Sequence, residues 1–380
     1  MSAATADVLV IGAGTVGLAC AWALLERDPT LDTLVLDAGD FACGGSGRNA
    51  SAFRTLWSRD FNILMSKESL AVFRDAAAVF DYPAGIALRE EGYLILAHDA
   101  ATMAGFREAS ATLTRLGVPC ELLDPDQTLR RCSGLSGEGL TGALFGPECG
   151  TASPFSYLDA LLGAVRRMGG RVEFRRPVER LAAESTGYRA ETPTGPVSAS
   201  RVILCTDWAA PELLSPLGID LPITAQPKEA MVTVPGPRQL DVTLMAPKTG
   251  LGVKQLARGN FILSMTLDRP PGSQDGSTPT WLAACARESI TLYPALAGLA
   301  ALRCWGGAIS KTPDMQAIMG ETERAGLYVA VSAYKGFMLS PAMGRVMAEI
   351  VLTGKTNHPA RALSPARFAT GVLESELLTI

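Results

Sequence analysis

Near the amino terminus, Gly12-Ala13-Gly14-Thr15-Val16-Gly17 carries the spacing G-x-G-x-x-G, and an acid, Asp37, stands further along the chain. The chemistry open to such a set is the holding of a dinucleotide pyrophosphate. One glycine permits the tight turn, one lets the backbone approach the phosphates, and one lets a helix pack on its strand. The start of that helix offers unpaired N–H groups and a partial positive charge. Asp37 can accept hydrogen bonds from a ribose 2′-OH, and its charge argues against a 2′-phosphate.

The surrounding elements give the glycines their meaning. An apolar strand, Asp7 to Ile11, runs into the turn; an apolar helical stretch, Leu18 to Leu25, leaves it; and a second strand, Leu34 to Leu36, ends on Asp37. Gly137-Glu138-Gly139-Leu140-Thr141-Gly142 has the same spacing without the setting. No apolar strand precedes it and no helical pattern follows, so it is read as a loop. The chain therefore shows one dinucleotide site and no second site for NAD.

The 380 residues, 48% hydrophobic and 19% charged, are enough for two domains or one large one with a substantial buried core or partner surface. The net charge of −4 offers no general attraction for phosphate backbones, which argues against nucleic acid as a partner. The run Val8 to Leu25 imitates a membrane span or a signal core. Its glycines, and the absence of basic residues before Arg27, argue against both, and a cytoplasmic location is expected. Eight cysteines stand far apart with no C-x-x-C pair, and His98 and His358 are the only histidines. Metal binding and Ser-His or Cys-His nucleophilic catalysis are poorly supported. The chemistry is expected to belong to a bound cofactor.

After Asp37 comes a loop of small and polar residues, Cys43-Gly44-Gly45-Ser46-Gly47-Arg48-Asn49-Ala50-Ser51, suited to close passage of a flat polar group. Helices are predicted over Asp60 to Val79, Ala100 to Leu116, Pro154 to Met168 and Trp281 to Leu292. Strands are predicted at Gly92 to Leu96, Arg171 to Phe174, Pro177 to Leu181, Arg201 to Cys205 and Leu327 to Val331. Turn-punctuated strands fill Leu221 to Phe261, and Asp268 to Pro279 reads as a flexible lid or surface excursion. Ser340 as cap and Pro341 at the first helical position predict a last helix running to about Leu352.

Taken together these residues resemble the D-amino-acid-oxidase superfamily of FAD-dependent amine oxidoreductases, from about Asp7 to Lys355. The likeness is greatest to beta subunits of heterotetrameric sarcosine oxidase, dye-linked proline dehydrogenase and opine oxidase. It rests on Gly47-Arg48-Asn49-Ala50-Ser51-Ala52-Phe53-Arg54, on Trp305-Gly306-Gly307 with Thr312-Pro313-Asp314, and on Gly326 to Ala330 and Gly336 to Ala342 with Gly344. The resemblance implies an α/β FAD-binding domain, Rossmann-like and of the glutathione-reductase type, with an inserted α+β substrate domain on a mainly antiparallel sheet. The FAD-binding domain would comprise residues 1–85, 146–220 and 306–380, and the substrate domain 86–145 and 221–305.

The same resemblance assigns residues. Gly12, Gly14, Gly17 and Asp37 would hold the ADP half and Val178 would meet the adenine. Ser46, Gly47, Arg48, Asn49, Ala50 and Ser51 would line the path to the flavin ring. Thr206, Trp208 and Gly307 join the cofactor-binding set, and Gly336, Phe337 and Met338 would approach the ring's pyrimidine edge. No cysteine stands where monomeric sarcosine oxidases attach flavin, which implies non-covalent FAD. The chain departs from the family pattern at Val331-Ser332-Ala333-Tyr334-Lys335-Gly336, where two glycines and a histidine are replaced, and at Asp207, where a glycine is common.

The implied reaction is oxidation of the C–N bond of an N-substituted or cyclic amino acid by hydride transfer to flavin N5, which requires positioning more than a dedicated acid or base. Arg54 is the expected carboxylate anchor, because a guanidinium binds a carboxylate bidentately and the family places such an arginine there. Tyr334 and Lys335 either reach the substrate face or leave Lys335 solvated. A glycine or D-amino-acid oxidase or dehydrogenase acting alone remains open, as do an NAD-dependent dehydrogenase and a flavin-holding chain without catalysis of its own. Oxygen, a quinone or dye, or a partner's redox centre could each take the electrons, and alpha and small subunits are candidate partners.

Overall fold

The computed structural model describes residues 4–267, 269–272 and 276–378. The first strand, Ala4–Ile11, lies at the centre of a sheet, parallel to Thr33–Leu36 on one side and to Val197–Leu204 on the other. Arg171–Glu173 extends the parallel sheet beyond the former and Leu327–Val331 beyond the latter, with Ile318–Glu321 antiparallel at the edge. Strands buried on both faces need continuous apolar sequence, and Val8, Leu9 and Val10 supply it. The helices Thr15–Arg27, Pro154–Arg167 and Gly336–Thr353 cover one face. The hairpin Arg180–Ala183 with Tyr188–Glu191 joins the sheet antiparallel to Val197–Leu204, and the short helix Ala210–Leu214 and Ile219 to Ile223 pack on the other face.

Two of the covering helices touch almost backbone to backbone. A Cβ added at Gly344 would stand 2.3 Å from the Ala19 carbonyl oxygen, so only glycine allows the last long helix to approach the first this closely. The run Val8 to Leu25 is thus half strand and half helix, and among the described residues no helix is long and apolar enough to cross a membrane.

A second eight-stranded sheet is antiparallel except where Thr243–Ala246 runs parallel to Tyr93–Ala97. Its long strands Thr224–Pro235 and Ala301–Lys311 form one edge and Glu121–Leu123 the other. Helix Pro279–Leu292 packs on one face and Ala100–Arg115 on the other. The boundary expected at residue 306 falls inside the strand Ala301–Lys311, whose Ser310 bonds Asp207 in the loop after Val197–Leu204.

Several expected elements shift. The helix expected from Pro341 begins at Gly336, with Lys335 as its cap and Pro341 inside it. Pro341 lacks the N–H that would bond the Phe337 carbonyl, and Ser340 Oγ, rather than capping the helix, donates to that carbonyl at 3.2 Å. The strand expected from Pro177 begins only at Arg180, and the helix from Asp60 breaks at Asp75. Gly137 to Thr141 is loop, as its setting implied. Of the expected excursion from residue 268 to 279, Asp268 and residues 273–275 lie outside the described residues.

Candidate functional site

The turn after the first strand shows what each glycine does. Gly12 has φ +108°, and a Cβ on it would stand 2.6 Å from the Cys205 carbonyl oxygen. A Cβ on Gly17 would stand 1.8 Å from the Gly12 carbonyl oxygen, so Gly17 lets the helix close on its own turn. Gly14 caps the helix without a side chain, and no acid occupies the first helical turn, so the positive end of the helix is left open. Asp37 braces the turn, accepting from the Ala13 N–H at 2.7 Å and the Gly39 N–H at 2.9 Å. Ser46 reaches back to accept from the Thr15 N–H at 2.9 Å.

A cavity of about 620 Å³ opens over this turn. Gly12, Gly14, Asp37, Ser46 and Asn49 line it on one side, together with Val178. Thr206 and Trp208 join from the loop after Val197–Leu204, and Tyr334, Gly336 and Phe337 from the start of the last long helix. That helix start also lacks a side-chain cap and an acid in its first turn.

The remaining candidates stand back from the wall. Gly17 acts by packing; Gly47 lets its loop fold back, since a Cβ there would stand 2.0 Å from the Ala42 carbonyl oxygen. The Arg48 carbonyl accepts from Trp305 Nε1 at 2.8 Å and its side chain lies over Gly307. Asn49, itself on the wall, shapes the loop through Ser46 and Ser51, whose φ is +60°. Ala50 and Met338 are half-buried outside the lining.

Sequence reasoning noted Asp207 as a departure and missed its work. Asp207 (φ +51°) lines the cavity and accepts from Ser310 Oγ at 2.7 Å, Ser310 N–H at 3.0 Å, Ser332 Oγ at 2.9 Å and Ser332 N–H at 3.3 Å. Ser310 Oγ in turn accepts from the Ala333 N–H at 3.0 Å. This carboxylate ties the antiparallel sheet to the turn Ala333-Tyr334, where both residues are left-handed at φ +44° and +65°. Left-handed residues with side chains persist only where their surroundings hold them, and they gather at functional sites.

Arg54 is buried, its guanidinium stacked 4.0 Å over the Trp57 ring, with Nη2 donating to the Leu378 carbonyl at 2.7 Å. Its Nε has no hydrogen-bond partner, and among the described residues no carboxylate pairs with it. Lys335 is wholly buried rather than solvated; its Nζ donates to the Met315 carbonyl and lies 4.2 Å from the Tyr334 ring centre. Burial pushes the Lys335 pKa down to about 7 against the opposing pull of Glu376. Burial pushes the Tyr334 hydroxyl up to about 12, offset in part by Arg54, and the hydroxyl makes no well-formed hydrogen bond. Arg54, Tyr334 and Lys335 therefore form one cluster. Only Tyr334 of the three reaches the cavity wall.

The wall fits FAD on three counts: two open helix starts, glycines whose absent side chains leave room for the backbone turn, and a buried Thr206 hydroxyl without a partner. The fold and the cavity define a dinucleotide-binding α/β protein carrying an antiparallel sheet beside the nucleotide cradle. The profile of the DAO family, FAD dependent oxidoreductase, matches residues 7–350, and the chain belongs to that family. It is an FAD-dependent oxidoreductase of amino acids or amines.

Among its relatives, the sarcosine oxidase beta chain of an Arthrobacter species is 25% identical over 97% of this chain and 93% of its own. An opine oxidase chain of Agrobacterium tumefaciens, itself named as one of several subunits, is 23% identical over 95% and 97%. The solved L-proline dehydrogenase of P. horikoshii superposes with a TM-score of 0.91 at 24% identity, covering 98% of this chain and 100% of that one.

Proposed function

We propose that the chain oxidises the C–N bond of an N-substituted or cyclic amino acid, with the parallel sheet holding non-covalent FAD and the antiparallel sheet shaping the substrate side. The observation that carries this reading is the buried Arg54 guanidinium, unpaired by any described carboxylate, lodged beside Tyr334 at the edge of the cavity. A buried cation lacking an anion is costly, and a substrate carboxylate would relieve it with two parallel hydrogen bonds. FAD supplies, when bound, a two-electron acceptor for the hydrogen on the carbon next to nitrogen. Gly12, Gly14, Asp37, Ser46, Val178 and Thr206 would hold its nucleotide part, and Tyr334, Gly336 and Phe337 would lie toward its ring.

The chain's own groups then orient the substrate. Arg54 holds the carboxylate, the Tyr334 hydroxyl stays protonated through the working range and donates, and Lys335 sets the local charge behind them. Leu56, Trp57, Tyr93 and Met245 form an apolar surround suited to an N-alkyl group or a ring. The names sarcosine oxidase, opine oxidase and L-proline dehydrogenase support this substrate class, and the first two relatives' being named as subunits supports assembly with an alpha-type partner. The test is anaerobic addition of sarcosine, prolines, opines, glycine and D-amino acids to the yellow protein. Bleaching by an N-substituted or cyclic substrate is expected; bleaching by glycine or D-amino acids alone would replace the proposal, and none at all would favour a purely flavin-holding role.

A further inference from the structure

The position where a carboxylate would meet Arg54 is taken by the chain itself. Leu378, 2% exposed, places its carbonyl oxygen 2.7 Å from Arg54 Nη2, and its side chain sits in the apolar cluster that Tyr334 and Met338 flank. The segment leading to it is latched by a buried carboxylate. Glu376 Oε1 accepts from the Ser58 N–H at 2.6 Å, from Ser58 Oγ and from the Leu378 N–H at 3.2 Å, and Oε2 accepts from Asn62 Nδ2 at 3.0 Å. Gln316 Nε2 donates to the Glu374 carbonyl at 2.8 Å and Arg59 Nε to the Ser375 carbonyl at 2.7 Å.

We infer that Leu378, held by the Glu376 latch, is a specificity-determining residue that competes with substrate for Arg54. A neutral carbonyl gives the guanidinium one hydrogen bond and leaves Nε unpaired, whereas a carboxylate can take two N–H groups and neutralise the charge. The carboxylate is therefore the better ligand for Arg54, and it must displace Leu378 to bind. The latch opposes that exchange, because releasing the segment exposes Leu378 and breaks the bonds to Glu376. Affinity for a carboxylate is the difference between these two terms. Small carboxylates that need little displacement are favoured over those that must expel the whole segment.

This inference rests on reading Arg54 as the carboxylate anchor, and one experiment separates the two. Acetate is titrated into the FAD-loaded protein, read by perturbation of the flavin absorption band and by calorimetry. The intact chain is compared with a chain lacking residues 374–380, with Glu376→Ala, and with Arg54→Ala in both backgrounds; thermal melting confirms folding. The expected result is acetate binding about tenfold tighter in the shortened chain, tightened to a lesser degree by Glu376→Ala, and lost with Arg54→Ala in either background. Equal or weaker binding in the shortened chain and in Glu376→Ala, still dependent on Arg54, overturns the competition and leaves the anchor standing. Binding indifferent to Arg54 overturns both. Should the shortened chain fail to fold, Glu376→Ala alone decides the matter in the same sense.

Discussion

Replacing Asp207 with glycine sets two effects against each other. Glycine relieves the left-handed backbone at φ +51°, a gain of about 1 kcal/mol. It also deletes four hydrogen bonds to a carboxylate, from Ser310 and Ser332, each worth about 1.5–3 kcal/mol when fully formed. The carboxylate is half-buried on a cavity wall, so water restores part of the loss, and a net loss of about 1–3 kcal/mol remains. For a chain of 380 residues that corresponds to a melting temperature lower by about 1–4 °C. Because the same carboxylate fixes Ala333-Tyr334 through Ser310, FAD affinity should fall as well, measured by fluorescence recovery on dilution. Asp207→Asn keeps the backbone preference and one acceptor oxygen, and should fall between the two. A glycine variant as stable and as tight for FAD as the parent would refute the view that this carboxylate holds the turn.

Gly17→Ala drives a methyl group into the Gly12 carbonyl, and the purified protein should be colourless and fail to take up FAD on reconstitution. Arg54→Ala should raise KM strongly in substrate-saturation kinetics, and unchanged kinetics would remove Arg54 from the site. Arg367 forms a buried bidentate pair with Asp314, at 2.9 and 3.1 Å, so Arg367→Ala should destabilise by about 3–5 kcal/mol in denaturant unfolding. Burial acts to raise the Asp314 pKa, yet its bonds to Arg367 outweigh it and hold it below the usual carboxylate value, so this stabilisation is present above the unfolded pKa and lost as pH falls through the folded one. Burial depresses Lys335 and Lys254 to about 7 and Lys228 to about 8. Between these values and the unfolded lysine pKa the unfolded chain binds more protons, so stability should rise from pH 7 toward 10, by at most about 1.4 kcal/mol per pH unit per lysine. Melting temperatures across that range check the sign.

The glycine turn was legible because its demands are local. A tight turn and a close helix each require glycine at fixed spacing, and Gly12 and Gly17 show those requirements in their contacts, whereas the bonds of Asp37, expected at a ribose, to the Ala13 and Gly39 N–H groups were not foreseen. The strand Leu327–Val331 and the central strands were equally legible from their apolar runs. The start of the last long helix was misplaced because Pro341 is a good first residue, and nothing local shows that Ser340 can serve the Phe337 carbonyl instead. The Arg54 surroundings were beyond reach for another reason. Leu378 and Glu376 meet Arg54, Ser58 and Asn62 across more than 300 positions of chain, and no spacing rule links them. Asp207 did leave a trace, a charged residue where glycine is common, but its four donors come from two distant segments.

The close approach of Gly344 to Ala19 has a consequence for how the molecule is made. During synthesis the glycine turn leaves the ribosome about 300 residues ahead of the strand and helix that finish the same chamber. Until Leu327–Val331 and Gly336–Thr353 arrive, the first helix has a bare flank and the chamber lacks a wall. A nascent chain that stops short of them carries the glycine turn without the side of the cavity that Tyr334, Gly336 and Phe337 line.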